Sequence, residues 1–202
     1  MTKIKFCGMM NPPDVIAACQ LGADYIGFIL SQGFRRSVGL GTFCELASYA
    51  DDHNADVKKV GVFVNEPMEN ILEYYAEMLD IIQLHGDEDG AYIKKLRQLT
   101  GKPVIKTFTV TSEQDIQLAQ KSNADYVLFD SGKGTGKTFD HTLIKDLDRP
   151  FFLAGGLTAE NVGDAIKKLR PFAVDASSSL ETNGKKDKTK MAAFAAAVRK
   201  VG

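Results

Sequence analysis

The chain has 202 residues, 44% of them hydrophobic and 25% charged, with a formal net charge of -1. That is the composition of a globular domain with one sizeable core, and the balanced charge leaves no electrostatic footprint for nucleic acid or an anionic membrane. No apolar run is long enough to span a bilayer, the first residues lack the apolar stretch of a secretory signal, and three scattered cysteines (Cys7, Cys19, Cys44) make no disulfide framework. A reduced, cytoplasmic protein is the expectation.

Lys3-Ile4-Lys5-Phe6-Cys7 reads as a first strand. Strand side chains alternate faces, so Lys3, Lys5 and Cys7 share one face and Ile4 and Phe6 the other. Gly8 then permits a sharp turn or a close approach. Asn11-Pro12-Pro13-Asp14 opens a helix through Leu21, stopped by Gly22. Tyr25 to Leu30 is a near-continuous apolar run, as expected of a strand buried on both faces of a parallel sheet. A polar loop with Arg35 and Arg36 follows, then a helix capped by Thr42 and running to about Tyr49. Lys59 to Val64 is a third strand, and Glu66-Pro67 opens a helix with Ile71, Leu72, Tyr75 and Leu79 at helical spacing. Ile81 to Gly86 is strand and turn, Glu88 to Leu99 helix, and Val104 to Thr107 strand. Ser112 caps the next helix, with Asp115 nearby. Tyr126 to Asp130 is strand, then a glycine-rich loop from Ser131 to Lys137 and a short helix from Asp140 to Leu147. Phe151 to Ala154 is strand, Thr158 to Leu169 helix, Phe172 to Asp175 the last strand, and Lys188 to Val201 the closing helix.

Eight strand-like runs, each followed by a helical segment, argue for a closed (β/α)₈ barrel, a TIM barrel formed as a single compact domain over residues 1–202 with short helices. An internal echo supports it: Gly22-Ala23-Asp24-Tyr25-Ile26 resembles Asn123-Ala124-Asp125-Tyr126-Val127, half the chain away.

In such a barrel the site lies at the C-terminal ends of the strands. Strand 1 brings Cys7 there, the loop after strand 2 Arg35 and Arg36, strand 4 Gln83 and His85, strand 6 Asp130, and strand 8 Asp175 with the serines beyond it. Cys7 reads either as a small buried hydrophobe or as a reactive thiol. The arginines read either as a solvated pair or as a planar clamp for a carboxylate or phosphate. Gly155-Gly156 before a helix, with Ser177, Ser178 and Ser179, reads as a phosphate site or as a tight turn. Gly132 to Thr138 falls short of an ATP-binding P-loop, since that spacing needs glycine where Ser131 stands; a loop closing over the mouth is expected instead. His85 reads as structural or substrate-contacting, with no carboxylate placed beside it, and no metal site is expected. Cys19 and Cys44 read as packing residues in helices.

Lys5-Phe6-Cys7-Gly8-Met9, Ala23 to Phe28, Gly61 to Asn65, Gln83-Leu84-His85-Gly86, Gly134 to Asp140, Ala154-Gly155-Gly156-Leu157 and Val174 to Ser178 occur in this order. Together they resemble the phosphoribosylanthranilate isomerases of tryptophan biosynthesis over nearly the whole chain. Two departures are Phe6, where isoleucine is usual, and Ser179-Leu180-Glu181, where glycine-valine-glutamate is common. The resemblance implies an Amadori rearrangement of N-(5'-phosphoribosyl)anthranilate by general acid/base catalysis. It implies Asp130 as acid and Cys7 as base, Arg36 on the anthranilate carboxylate with Asp175 assisting, and Lys5, Gln83 and His85 on the substrate. Gly155, Gly156, Ser177 and Ser178 would hold the phosphate, and no metal or organic cofactor is implied. The base needs a lowered pKa, and Lys5 on the same face as Cys7 is the cation that would favour the thiolate. The partner expected is the small phosphosugar substrate, with no nucleic acid and no membrane, for a monomer or homodimer. Rival readings are other phosphosugar barrels and a non-catalytic phosphate-binding barrel with an inert Cys7.

Overall fold

In the computed structural model, residues 1–130, 144 and 147–201 are described. The sheet is a closed barrel of eight parallel strands in sequence order. The strands are β1 (Lys3–Cys7), β2 (Tyr25–Ile29), β3 (Lys58–Phe63), β4 (Ile81–Leu84), β5 (Val104–Thr109), β6 (Tyr126–Asp130), β7 (Phe151–Leu153) and β8 (Ala173–Ala176). Closure comes from β1 pairing with β2 on one side and β8 on the other, with Cys7 level with Gly27 and Lys5 level with Asp175. The helices are α1 (Pro12–Gln20), α2 (Leu40–His53), α3 (Met68–Asn70), α4 (Gly90–Thr100), α5 (Glu113–Gln120), α6 (Val162–Leu169) and α7 (Lys188–Arg199). A two-stranded hairpin, β9 (Glu181–Thr182) and β10 (Lys185–Lys186), leads from β8 to α7. The glycine-rich loop and the helix expected from Asp140 lie outside the described residues, Ile144 and Leu147 apart.

Local chemistry explains most of the helix boundaries. Asn11 caps α1, its side chain accepting from Asp14 N, and Pro12 and Pro13 occupy the positions whose N–H groups need no helical partner. Ser112 and Asp115 form a reciprocal capping box at α5. Three expected starts move. α2 begins at Leu40 behind Gly39, which offers no side-chain cap, so Thr42 lies inside the helix. α4 begins at Gly90 behind Asp89, whose carboxylate accepts from Tyr92 N at 2.8 Å. α6 begins at Val162, because Asn161 takes Thr158 N on its side-chain oxygen and donates to Gly156 O, holding 157–161 as a turn. The third helical segment continues from α3 as a π-helical turn (Ile71–Tyr75) and a 3₁₀ turn (Ala76–Met78). Cys19 is buried as expected, but Cys44 is exposed on α2, its sulfur 3.8 Å from that of Met78.

The core has two parts. Outward-facing strand residues such as Ile4, Phe6, Ile26 and Phe28 pack against the helices; Phe6 meets Phe194 of α7 edge-on. The lower barrel interior is closed by Tyr25, Val60, Ile81, Ile105, Leu128, Phe152 and Ala173, with Tyr25 and Phe152 edge to face at 5.3 Å. The internal echo has a structural meaning. Asp24 accepts the backbone N–H of Ile4, and Asp125 that of Val104, each at 2.8 Å. Asp80 does the same for Lys59 at 2.8 Å. Each carboxylate stands at the start of an even strand and satisfies an otherwise unpaired donor on the odd strand before it. No helix of the described residues is long and apolar enough to cross a membrane.

Candidate active site

Strand alternation aims Lys5 and Cys7, Gln83, Thr107, Asp130 and Asp175 at the barrel axis. Above the apolar plug the interior therefore turns polar, and the mouth opens into a cleft of about 470 Å³. Its lining contains Cys7, Arg35, Arg36, Gln83, His85, Asp130, Gly155, Gly156, Asp175 and Ser177 to Ser179. All the expected site residues thus meet at one mouth except Lys5, which lies beneath it.

Lys5 is completely buried, and its ammonium donates to Asp175 Oδ2 at 2.7 Å. Burial opposes the lysine's charge, but the Asp175 carboxylate, joined by the Cys7 sulfur when it is ionised, outweighs burial and holds its pKa above the ordinary value. Asp175 Oδ1 and Gln83 Oε1 have no hydrogen-bond partner among the described residues, while Gln83 Nε2 donates to Thr107 Oγ1 at 3.2 Å. For Cys7 the expectation of a lowered pKa fails. Burial pushes the thiol up, Lys5 pulls it down without prevailing, Asp175 adds to the rise, and Lys186 opposes it. The resting site therefore favours the thiol, because removing a thiolate from water costs more here than the nearby cations return.

Two glycines make room for this end of β1. Gly27 stands so close that a Cβ there would lie 2.7 Å from Cys7 Sγ. Gly8, at φ +77°, leaves space for Arg36, whose Cδ would lie 2.5 Å from an added Cβ. Arg36 is steered further by the loop after β2, where Ser37 Oγ donates to Ser31 O at 2.6 Å and Ser31 Oγ to Glu66 at 2.8 Å. Arg36 Nε donates to Glu181 Oε1 at 2.5 Å, and Arg35 Nη2 to Glu181 Oε2 at 2.6 Å. Burial would raise the Glu181 pKa, but these hydrogen bonds and the charge of Lys186 hold it at about 2. Because Arg36 is held at its Nε edge, its Nη fork is the part that suits a planar carboxylate.

On the far wall, His85 Nε2 lies 3.9 Å from Asp130 Oδ2, which corrects the expectation that no carboxylate stands beside this histidine. Strands β4 and β6 flank β5, so the residues at their C-terminal ends are next-but-one neighbours on the rim. Burial lowers the His85 pKa against the pull of Asp130, so the imidazole is neutral near neutral pH. The turn after His85 is braced from beneath: Lys106 donates to Gly86 O at 2.5 Å and to Glu88 at 2.9 Å. Among the described residues no group of three or more histidine, cysteine, aspartate or glutamate side chains is arranged to hold a metal.

At the ends of β7 and β8, Gly155 and Gly156 adopt φ of +85° and +65° and face Ser178 and Ser179 across the cleft. The N-terminus of α6 begins only at Val162, so the amides of the glycine turn, rather than the helix end, are the nearer donors. Ser177 has a different commitment, since its hydroxyl donates to Cys7 O at 2.9 Å. Two groups escaped the sequence reading: Glu181 as the anchor of both arginines, and Lys186, whose ammonium contacts Glu181 and Ser177. The Asn183-Gly184 pair between them is a strong short-range hairpin signal and would have exposed both.

A family model described as N-(5'phosphoribosyl)anthranilate (PRA) isomerase matches residues 4–197. The N-(5'-phosphoribosyl)anthranilate isomerase of Endomicrobium trichonymphae is 40% identical over 197 residues, covering 95% of each chain. The crystal structure of the Thermotoga maritima phosphoribosyl anthranilate isomerase superposes with a TM-score of 0.90 at 34% identity, over 99% of this chain and 100% of that one. A phosphoribosyl anthranilate isomerase structure in complex with reduced 1-(o-carboxyphenylamino)-1-deoxyribulose 5-phosphate superposes at 0.88, with 34% identity and the same coverage. A barrel closed in this order, a polar mouth built from these side chains, and a family match running almost from end to end lead to one assignment: the chain belongs to the N-(5'-phosphoribosyl)anthranilate isomerase family.

Proposed function

We propose that this chain converts N-(5'-phosphoribosyl)anthranilate into 1-(2-carboxyphenylamino)-1-deoxyribulose 5-phosphate, an aldose-to-ketose step of tryptophan biosynthesis. The observation that carries the reading is the meeting of a thiol, a carboxylate and an arginine at one barrel mouth. Asp130 donates a proton to the ring oxygen, the bond from that oxygen to C1' breaks, and the nitrogen lone pair forms a cationic Schiff base. Cys7 as thiolate removes the C2' proton, and the electron pair flows to that nitrogen to give an enolamine, which tautomerises to the ketone. The nitrogen is the electron sink, so no step calls for a metal or an organic cofactor.

This order of events suits the buried thiol. In the empty site burial keeps Cys7 protonated. A cationic Schiff base above it, with Lys5 and Lys186 beside and below, adds the positive charge under which the Cys7 thiol releases its proton to solvent through the open mouth, leaving the thiolate that takes the C2' proton. Arg36 takes the anthranilate carboxylate, with Asp175 orienting the ring and Gln83 and His85 contacting the substrate. The amides of Gly155 and Gly156 and the residues around Ser178 take the phosphate. The chain acts in the cytoplasm as a monomer or homodimer, and sedimentation at working concentration distinguishes the two. The test of the reaction is the loss of anthranilate-substrate fluorescence with wild type and Asp130→Asn. Removing a general acid slows such a step roughly 10²- to 10⁴-fold; wild-type turnover in the asparagine variant refutes the assignment.

A further inference from the structure

Lys186 is a buried lysine to which the chemistry above gives only a share of the local charge. Its side chain is 1% exposed. The hairpin register sets it directly across from Glu181, and the turn residues Asn183 and Gly184 adopt φ of +52° and +78°, the left-handed pair a tight hairpin turn requires. The ammonium donates to Ser177 O at 3.0 Å and to Glu181 Oε1 at 3.2 Å, and lies 3.4 Å from Ser177 Oγ. Each partner leads to a different half of the site. Ser177 Oγ donates to the carbonyl of Cys7 at 2.9 Å. Glu181 Oε1 also accepts from Arg36 Nε at 2.5 Å. One ammonium therefore sits between the residue that removes the proton and the residue that holds the carboxylate.

We propose that Lys186 is a positioning residue for the isomerisation, fixing the Cys7 end of β1 through Ser177, holding the Arg36 clamp through Glu181, and lending its charge to the thiolate. The proposal rests on the reading of Cys7 as the base. A lysine is an expensive choice for a mere cross-strand tie, because a buried ammonium has to be fully paired, and a neutral side chain would close the same hairpin. Among the described residues the charged and titratable groups that face Lys186 are Glu181 beside it on β9, Cys7 on β1, Asp175 on β8, Arg36 from the loop after β2, and Asp14 on α1. Cys7 in addition faces Lys5 and Asp175. Burial lowers the Lys186 pKa against the pull of Glu181 and Cys7, and Lys186 in turn lowers that of Cys7. The two groups stabilise each other's charged forms.

The experiment replaces Lys186→Met in the full chain and compares it with wild type and with Cys7→Ala. Two readouts are taken across pH: kcat and KM for isomerisation, and the rate of Cys7 alkylation by iodoacetamide, resolved by peptide mass so that Cys19 and Cys44 do not interfere. The expected result is a fall in kcat/KM of roughly 10- to 100-fold with a raised KM. The midpoints of the pH–rate profile and of Cys7 alkylation both move up by about one pH unit, and Lys186→Arg recovers part of that shift. If both midpoints stay at wild-type values in Lys186→Met, the inference is overturned whatever happens to kcat, since a purely structural tie lowers activity without moving the titration. Should that variant fail to fold, Lys186→Gln keeps a donor towards Ser177 without the charge and is read the same way. Full activity in Cys7→Ala overturns the general-base reading itself. Loss of activity there, with unmoved midpoints in Lys186→Met, overturns only the role of Lys186.

Discussion

Gly27→Ala perturbs the site without removing any group that does chemistry. The added methyl would stand 2.7 Å from Cys7 Sγ and 3.3 Å from both Cα and Cβ of Cys7. Comfortable separations between such atoms are about 3.5–4.0 Å, so the overlap with sulfur is close to 1 Å. Backbone retreat is resisted, because Gly27 O accepts from both Gly8 N at 2.9 Å and Met9 N at 3.0 Å. The strain is relieved mainly by turning or displacing the thiol. Overpacking of this kind costs roughly 1–3 kcal/mol of stability. A shift of about 1 Å in a reacting group costs on the order of 10²-fold in rate. Steady-state kinetics on the fluorescent substrate should therefore show kcat reduced by about two orders of magnitude with KM little changed, while thermal unfolding shows a moderate loss. A variant with kcat within about twofold of wild type, folded and buried as before, would refute the claim that the position of this sulfur matters.

Two further outcomes follow from Arg36 and Glu181. Arg36→Ala removes charge-assisted hydrogen bonds worth roughly 1.5–3 kcal/mol, so KM rises about tenfold to 150-fold with a smaller change in kcat; titration with anthranilate itself shows the same loss, and an unchanged KM would place the carboxylate elsewhere. Glu181 has a folded-state pKa of about 2, depressed from 4.5 by its cations. A depressed carboxylate pKa contributes stability that is present above 4.5 and lost as pH falls towards 2. Urea midpoints should fall across that window, and Glu181→Gln should be less stable above it and lose less within it; parallel pH curves for the two proteins would contradict this.

The barrel was legible because parallel strands buried on both faces read as apolar runs, and because alternation puts Lys5 and Cys7 on one face whatever the rest of the chain does. The helix starts at Gly39, Asp89 and Asn161 were harder. Gly39 caps without a side chain, and Asn161 precedes α6 with its side-chain oxygen turned back to Thr158 N, so neither offers the side-chain cap that a sequence pattern reads. The state of the Cys7 thiol was not legible at all: alternation gives direction, and the rise in pKa depends on burial, which no local pattern reveals. Lys186 hid in a run of lysines that reads as a solvated surface, and its burial beside Glu181 depends on the hairpin register. The closeness of His85 and Asp130 depends on the strand order and curvature of the barrel, which set β4 and β6 on either side of β5.

The central claim is that Cys7 removes the C2' proton, and Cys7→Ala tests it most directly. The variant is assayed with N-(5'-phosphoribosyl)anthranilate and titrated with the reduced ketose product analogue. The account predicts turnover lower by at least about 10²-fold, the scale of a lost general base, with affinity for the analogue within a few-fold of wild type. Turnover at the wild-type rate, with the analogue still bound, would contradict it.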